Sequence, residues 1–326
     1  MPYKSEVYQR ALNVLQHRRD DSTLDVTIKT REAMEKIPEL EGLQEQLSKI
    51  GLSISKLMFR SENPQQEVEA LQEQSLAIQE KKKQLLKENG FAENALEPQH
   101  VCPVCRDTGF VGDRMCNCHR ELLKEIERDN IRRLAPIDEC TFDNFNVDYY
   151  PNTDEFGGSP RETAKIVFER CREYAQRFDL KSANLFLMGG TGLGKTHLSL
   201  AIANVAINKG YAVLYGTAQN ILSDLQSENF GRLDNIYYNE YDVLHADLLI
   251  LDDLGTEFKN QYSVASIYNI INTRILKKLP TIISSNLDYD ELEEKYDQRI
   301  ESRIIGEYSI LELTGKDIRY VKLRNK

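Results

Sequence analysis

One segment limits the possible folds of this chain more than any other. Residues 189–196 read GGTGLGKT and satisfy the pattern G-x-x-x-x-G-K-[ST]. The apolar stretch 184–188 before it predicts a short buried strand, and residues 197–208 after it predict a helix. A strand, a glycine-rich loop and a helix in this order predict a phosphate-binding loop in an α/β domain.

The residue types of this loop suit a bound phosphate chain. Glycines let successive backbone N–H groups turn toward one anion, and the helix N-terminus adds a partial positive charge. Lys195 is expected to reach the β- and γ-phosphates, and the Thr196 hydroxyl is expected to ligate Mg²⁺. The predicted nucleotide-binding residues are Gly189, Gly190, Thr191, Gly192, Leu193, Gly194, Lys195, Thr196 and His197.

Helical and strand patterns alternate through the second half of the chain. The pattern predicts helices over 161–178, 195–208, 217–227 and 262–278, and strands over 184–188, 211–216, 247–252, 281–285 and 308–313. Such alternation is typical of a parallel sheet with helices on both faces. We therefore expect an α/β domain with a parallel five-stranded sheet.

The predicted strand over 247–252 runs into two acids that suit metal and water chemistry. Asp252 is expected to hold Mg²⁺ through water, and Asp253 to orient or deprotonate the attacking water. Glu257 is a weaker candidate for that second role. A strand that ends in two acids often precedes a plain turn, but its position downstream of the phosphate-binding loop favours the catalytic interpretation.

The predicted strand over 281–285 is followed by Asn286. Strand ends of this kind lie beside the nucleotide, so Asn286 would hydrogen-bond both the γ-phosphate and the water. The alternative is that Asn286 caps the helix that begins near Asp290.

Three arginines near the end of the chain are candidate phosphate ligands. Arg299 and Arg303 are four residues apart and share one helical face, where either would also form surface salt bridges. In an oligomeric ATPase one of them, for which we favour Arg303, would stabilise charge on the γ-phosphate bound to a neighbouring subunit. Arg319 follows the predicted strand 308–313 and would approach the phosphates of its own subunit.

These residues together resemble the AAA+ ATPases, specifically the bacterial replicative helicase loaders of the DnaC/DnaI family and their transposition relative IstB. The resemblance rests on the phosphate-binding loop, the acid pair, Asn286 and the three arginines, and it covers roughly residues 136–326. The segment CTFDNF at 140–145 adds to it, because a T-F-x-N-[FY] segment recurs in that family. By resemblance this segment would flank the adenine.

The resemblance implies a function that composition and spacing alone do not. It implies ATP or ADP and Mg²⁺ as cofactors, self-association through the AAA+ domain, and loading of a hexameric DnaB-type replicative helicase onto DNA. It also implies ATP-controlled contact with single-stranded DNA. Two alternatives remain open: an IstB-like ATPase that remodels a transposase–DNA complex, and a nucleotide-gated adaptor with negligible turnover.

The insertion at which initiator-type AAA+ ATPases carry a DNA-contacting helix would fall near residues 228–245, which makes this stretch a candidate for DNA contact. Arg232, Tyr237, Tyr238 and Tyr241 lie there, and aromatic rings stack on bases. Four acids in the same stretch weaken the case. The formal net charge of −10 also argues against nonspecific nucleic-acid binding by the whole surface.

A cluster of cysteines predicts a structural zinc site. The spacing Cys102-x-x-Cys105 and Cys116-x-Cys118-His119 supplies soft ligands that close a tetrahedron around Zn²⁺. Cys118 and His119 compete for the fourth position, and His100 is an outside candidate. Some DnaI-type loaders carry a zinc-bearing N-terminal domain, which this insert resembles. The clustering favours a metal site in a reducing compartment over a disulfide framework.

The first 98 residues are rich in Glu, Gln, Lys and Leu and predict helices. We expect a small bundle that docks on the helicase, with a solvated helical hairpin as the alternative. The predicted organisation is a docking domain over 1–98, a zinc module over 99–120, a linker helix over 121–135 and the AAA+ domain over 136–326. No apolar run of membrane-spanning length and no secretory signal occurs, so we expect a cytoplasmic protein without a membrane segment.

Overall fold

The computed structural model describes residues 3–60, 65–154, 158–231 and 237–320 of the 326-residue chain. The chain divides into two compact units. One consists of Leu12–His119, and the other combines Met1–Ala11 with Arg120–Lys326. This division does not test the four predicted domains, so the boundaries at residues 98, 120 and 135 stay predictions.

Three long helices dominate the first part of the chain: α1 (Ser5–Lys36), α2 (Glu39–Arg60) and α3 (Gln65–Glu88). In the Leu12–His119 unit, Ala33, Ile37, Leu40 and Leu86 form a small buried cluster. Phe91 and Leu96, from the segment after α3, pack against it. Most other helical side chains are exposed, so this unit has a thin core and a large polar surface. The helical prediction for this region is confirmed.

A short cysteine-bearing segment follows the helices. Its hairpin pairs β1 (Phe110–Val111) with β2 (Arg114–Met115) in antiparallel register, and Gly112 turns between them with a φ of 57°. Helix α4 (Asn117–Arg132) begins directly after the hairpin. Strands of two residues bury too little surface to hold a fold alone, so this segment depends on its cysteine cluster.

The larger unit is built on a parallel sheet of five strands in the order β4-β5-β6-β3-β7. The strands are β3 (Asn184–Gly189), β4 (Val213–Thr217), β5 (Leu248–Leu254), β6 (Thr281–Ser285) and β7 (Tyr308–Leu313). The helices are α5 (Pro160–Arg177), α6 (Lys195–Asn208), α7 (Ala218–Asn229), α8 (Glu240–His245), α9 (Gln261–Lys277), α10 (Tyr289–Tyr296) and α11 (Gln298–Glu307). The predicted fold class is therefore confirmed.

Both faces of this sheet are buried, as the apolar strands predict. Along β3, Leu185 and Leu187 join a cluster with residues of α5 and α6, whereas Phe186 and Met188 join the cluster on the opposite face. Because all five strands are parallel, their carboxyl ends meet at one edge. The phosphate-binding loop, the acid pair and Asn286 all follow strands at that edge.

A buried arginine that the sequence analysis did not single out lies near the amino-terminal ends of the strands, opposite the site. Arg274 lies on α9 and is fully buried. Its guanidinium donates hydrogen bonds to the Val243, Ala246 and Pro280 carbonyls and to the Thr281 hydroxyl, at 2.8–3.0 Å. It therefore fastens the starts of β5 and β6 to the end of α8.

Across the described ranges, no helix has both the length and the apolar character that a membrane crossing requires.

Candidate functional site

The phosphate-binding loop joins β3 directly to α6. Gly189 adopts a φ of 139°, and a Cβ there would lie 2.1 Å from the Leu313 carbonyl oxygen on β7. Gly194 adopts a φ of 85° at the N-cap of α6, where a Cβ would lie 2.9 Å from the Phe145 ring. Glycine is therefore required by backbone conformation and by close neighbours on both sides of the loop.

Lys195 and Asn286 meet inside this loop. The Lys195 ammonium donates to the Gly189 and Gly190 carbonyls at 2.7 and 2.8 Å and to the Asn286 side-chain oxygen. Burial lowers the pKa of Lys195. Asp288, rather than Asn286, caps α10 through the backbone N–H of Glu291. Asn286 is thus directed at the phosphate-binding loop, and the capping alternative is wrong.

Asp252 lies fully buried at the end of β5 and is held by three hydroxyl groups. The Thr196 hydroxyl donates to it at 3.0 Å, Tyr215 at 2.8 Å and Ser284 at 2.5 Å. The Thr196 hydroxyl and the Asp252 carboxylate therefore lie side by side, and together they form the oxygen-donor set that suits Mg²⁺. Sequence reasoning identified the acid and the threonine but missed Tyr215 and Ser284.

Asp253 is directed into the nucleotide-binding cavity. Its backbone has a φ of 52°, and its N–H donates to the Ser284 hydroxyl at 2.9 Å. Burial, and then the neighbouring charge of Asp252, raise the pKa of the Asp253 carboxyl. A carboxylate with a raised pKa is a stronger base than an ordinary one, as the predicted activation of water requires.

Glu257 has a different role. It is buried, and its carboxylate accepts hydrogen bonds from the Gly255 N–H at 3.0 Å and from the Tyr296 hydroxyl. Lys295 lies 3.8 Å from it. Glu257 does not line the nucleotide cavity. These contacts fix the loop after β5. The geometry therefore favours Asp253 over Glu257 for the predicted activation of the attacking water.

A cavity of about 290 Å³ opens in front of the phosphate-binding loop. Its walls are the loop itself, the segment around Phe145, and Ile318 with Arg319. The His197 ring nitrogen Nε2 lies 2.8 Å from the Thr141 carbonyl oxygen, and the Phe145 ring packs edge-to-face against His197. Part of the 140–145 segment therefore lines this cavity, and its contact with adenine stays a prediction.

Arg319 lines the same cavity but is held by a nearby acid. Its guanidinium pairs with Asp317 at 2.8 Å. Asp317 in turn packs on the phosphate-binding loop, because a Cβ at Gly192 would lie 1.9 Å from its carboxylate. Arg319 therefore lies at the wall of the cavity of its own chain, and its contact with the phosphates stays a prediction.

Arg299 and Arg303 lie on α11, outside the cavity walls. Arg299 pairs with Asp297 at 2.9 Å and lies over the Tyr268 ring. Arg303 forms no ion pair with any residue that the structure describes. Both line a separate depression of about 740 Å³ on α11. A role for Arg303 at a phosphate therefore requires the nucleotide of another subunit.

The four cysteine sulfurs converge in the small module. All four lie within 4.8 Å of one another, with 3.8 Å between Cys102 and Cys116 and 3.3 Å between Cys105 and Cys118. His119 is not part of this group, and its buried ring packs edge-to-face against Phe110. The geometry therefore favours Cys118 over His119 as the fourth ligand.

The surroundings of these sulfurs suit a metal. The backbone N–H groups of Cys105 and Val104 lower the pKa of the Cys102 thiol to about 7, whereas burial raises that of Cys118. The fully buried Asp107 carboxylate accepts hydrogen bonds from the Val101 and Cys102 N–H groups at 2.8 and 3.0 Å. His100, the outside candidate, lies 3.6 Å from Asp107. Four sulfurs in a preformed group fit a tetrahedral Zn²⁺.

The tyrosines proposed for DNA contact differ in their exposure. Tyr238 is buried and its hydroxyl donates to the Tyr215 carbonyl at 2.9 Å, while Lys4 lies over the Tyr237 ring at 4.9 Å. Tyr241 is 70% exposed and stacks on His245. The structure therefore removes Tyr238 from the predicted DNA surface and leaves Tyr241 available. Arg232 lies outside the described residues.

Comparison with known proteins identifies several that are similar to this chain. The family model described as IstB-like ATP binding protein matches residues 173–320. The replicative helicase loader DnaC of Buchnera aphidicola subsp. Baizongia pistaciae is 29% identical over 181 residues, which is 55% of this chain and 68% of that protein. DnaC of Escherichia coli strain K12 is 26% identical over 186 residues, or 56% and 69% of the two chains.

The comparison with solved structures also gives a match to a loader. The crystal structure of the DnaC helicase loader covers 55% of this chain and 98% of its own, at 20% identity and a TM-score of 0.46. The sequence matches agree with the phosphate-binding loop that the structure places between β3 and α6. Residues 173–320 match an IstB-like ATP-binding domain, and the chain is similar in sequence to the replicative helicase loaders named DnaC.

Proposed function

We propose that this protein is an ATP-dependent loader of a hexameric DnaB-type replicative helicase onto DNA. The observation that carries the proposal is the convergence of Lys195, Asn286 and Asp253 on one cavity at the carboxyl edge of the sheet. The similarity to proteins named replicative helicase loader supports the choice of partner.

The residues of the cavity suit ATP hydrolysis. Lys195 binds the β- and γ-phosphates, and Asn286 hydrogen-bonds the γ-phosphate and the attacking water. Asp253 accepts a proton from that water, which its raised pKa favours. Thr196 and Asp252 hold Mg²⁺, which neutralises charge on the phosphates.

Self-association completes the site. Arg319 contacts the phosphates of its own chain after exchanging Asp317 for the nucleotide, since the Arg319 side chain lies at the cavity wall. Arg303, which lies outside that cavity, reaches the nucleotide of the adjacent subunit. Hydrolysis then depends on assembly, which makes ATP a switch for holding or releasing the helicase.

The remaining parts of the chain supply partners and support. The cysteine module holds a structural zinc and folds around it. The exposed apolar residues Leu24 and Ile28, four apart on α1, form part of the helicase-docking surface. Tyr241 contributes stacking to single-stranded DNA. We expect the protein to act in the cytoplasm, where free thiols persist.

The proposal is tested by co-purification with a tagged hexameric DnaB-type helicase, with and without ATP. We expect ATP-dependent binding by the wild-type chain and loss of the ATP effect in Lys195→Ala. The control Lys165→Ala changes an exposed lysine on α5 and keeps the effect. Absence of wild-type binding under every nucleotide condition would overturn the helicase assignment.

The docking surface has its own test in the same assay. Leu24→Asp with Ile28→Asp places charge on the exposed face of α1 without entering a core. We expect it to abolish helicase binding while ATP binding persists. Leu276→Asp, at an equally exposed position on α9, serves as the control and retains binding.

A second candidate function follows from the family model, whose description names an IstB-like protein. An IstB-like transposition ATPase would bind a transposase–DNA complex and not a helicase. Stimulation of a transposase, without helicase binding, would favour this second function.

A further inference from the structure

Asp252 and Asp253 both belong to the site, although they are neighbours on one strand. On a regular strand, successive side chains point to opposite faces of the sheet. β5 departs from regularity here, since its register with β6 shifts between Leu251 and Leu254 and Asp253 adopts a φ of 52°. This bulge allows one acid to contact Thr196 while the next lines the cavity.

At this bulge, one hydroxyl group contacts both acids. Ser284 on β6 accepts the backbone N–H of Asp253 at 2.9 Å and donates to the Asp252 carboxylate at 2.5 Å. A serine hydroxyl has one proton to donate and lone pairs to accept, so both bonds form together. Ser284 is fully buried, and water therefore cannot easily replace it.

Tyr215 holds Asp252 from the other side. Its hydroxyl, on β4, donates to the second carboxylate oxygen at 2.8 Å. A tyrosine hydroxyl is protonated at neutral pH and can therefore donate this bond. The carboxylate is thus fixed between the two strands that flank β5.

We propose that Ser284 is a positioning residue for both acids: its hydroxyl sets the direction of Asp252 toward Mg²⁺ and of Asp253 toward the attacking water. Tyr215 assists at Asp252 alone. The inference rests on the ATP-binding part of the proposed function and does not depend on the identity of the protein partner.

The test uses the full chain and a fluorescent, non-hydrolysable ATP analogue titrated with Mg²⁺. In Ser284→Ala, the Mg²⁺ concentration that gives half of the Mg²⁺-dependent binding rises by at least about tenfold, the lower end of what a buried hydrogen bond to a carboxylate is worth. Binding in excess EDTA is unchanged. Steady-state hydrolysis shows a fall in kcat with little change in KM for Mg²⁺-saturated ATP.

Two further variants separate positioning from stability. Ser285→Ala removes the next hydroxyl of β6, which is equally buried but donates to the Leu254 carbonyl at 2.7 Å and contacts neither acid. It serves as the matched control and keeps the wild-type Mg²⁺ dependence. Tyr215→Phe preserves the ring and raises the Mg²⁺ requirement without displacing the Asp253 backbone.

The inference is overturned if Ser284→Ala has the wild-type Mg²⁺ requirement. It is also overturned if Ser285→Ala raises that requirement as much as Ser284→Ala does. Should Ser284→Ala fail to fold, Ser284→Cys decides, because it keeps the size of the side chain but offers only a weak donor, and wild-type Mg²⁺ dependence there overturns the inference. A wild-type chain that binds the Mg²⁺–ATP analogue but no helicase overturns the proposed function and leaves this comparison intact.

Discussion

Arg274 ties the two site-bearing strands to the rest of the ATP-binding unit, and its removal has a calculable cost. The guanidinium is fully buried, and burial lowers its pKa to about 10. Its donors satisfy three backbone carbonyls and one hydroxyl at the starts of β5 and β6. These strands carry Asp252 and lead into Asn286 at their other ends.

The substitution Arg274→Met keeps an unbranched apolar stem and removes every donor. Each buried acceptor left unpaired costs about 1–3 kcal/mol, while relief from burying a charge offsets part of the sum. We expect a net loss of about 3 kcal/mol in the free energy of unfolding. With a urea dependence of about 2–3 kcal/mol per molar, the midpoint of unfolding falls by about 1–1.5 M.

Urea unfolding followed by circular dichroism measures this loss, and hydrogen exchange of peptides from β5 and β6 locates it. The control Arg172→Met removes an arginine whose guanidinium lies 2.5 Å from the Glu169 carboxylate on the surface of α5, with both side chains more than 40% exposed. We expect that control to change stability by less than about 0.5 kcal/mol. Equal midpoints for the two variants would refute the reasoning.

Three further predictions concern the chemistry. Asp253→Asn lowers kcat for ATP hydrolysis by at least about a hundredfold and retains nucleotide affinity. Because the pKa of Asp253 is raised, the wild-type kcat falls on acidification at a higher pH than it would with an ordinary aspartate. Measuring kcat of both proteins as a function of pH checks both statements. Cys105→Ser reduces bound zinc below about half an equivalent per chain by metal analysis, while Cys171→Ala, in the core of the sheet unit, leaves it unchanged. Arg303→Ala abolishes ATP turnover in an assembly. Mixing it equally with Lys195→Ala restores activity at about a quarter of the interfaces, because an active interface then needs Lys195 from one subunit and Arg303 from its neighbour. If Arg303 acted within its own subunit, the mixture would show no restored activity.

The parts of the site that follow from local sequence were predictable. The phosphate-binding loop is specified by residues adjacent in the chain, because its ligands are backbone N–H groups and its glycines permit their geometry. The strands were visible because both faces of the sheet are buried, which makes each strand a continuous apolar run. The cysteine spacing similarly identified the four sulfurs that the structure brings together.

The contacts that could not be predicted from the sequence are those between strands that are distant in the chain. Tyr215 and Ser284 meet Asp252 across more than 30 residues, and their partners depend on strand order and on the bulge at Asp253. Arg274 carries no local signal, since a charged residue near a helix end is ordinarily solvated. Tyr238 was misassigned to DNA contact because composition does not reveal that its hydroxyl is bound within the core.

The central claim is that the cavity around Lys195 is the nucleotide switch of a helicase loader. The most direct measurement is the transfer of a hexameric DnaB-type helicase onto circular single-stranded DNA, followed by isolation of the DNA and quantification of bound helicase. We expect transfer that requires both this protein and ATP and that falls to background with Lys195→Ala. Equal transfer with Lys195→Ala, or in the absence of this protein, would contradict the account.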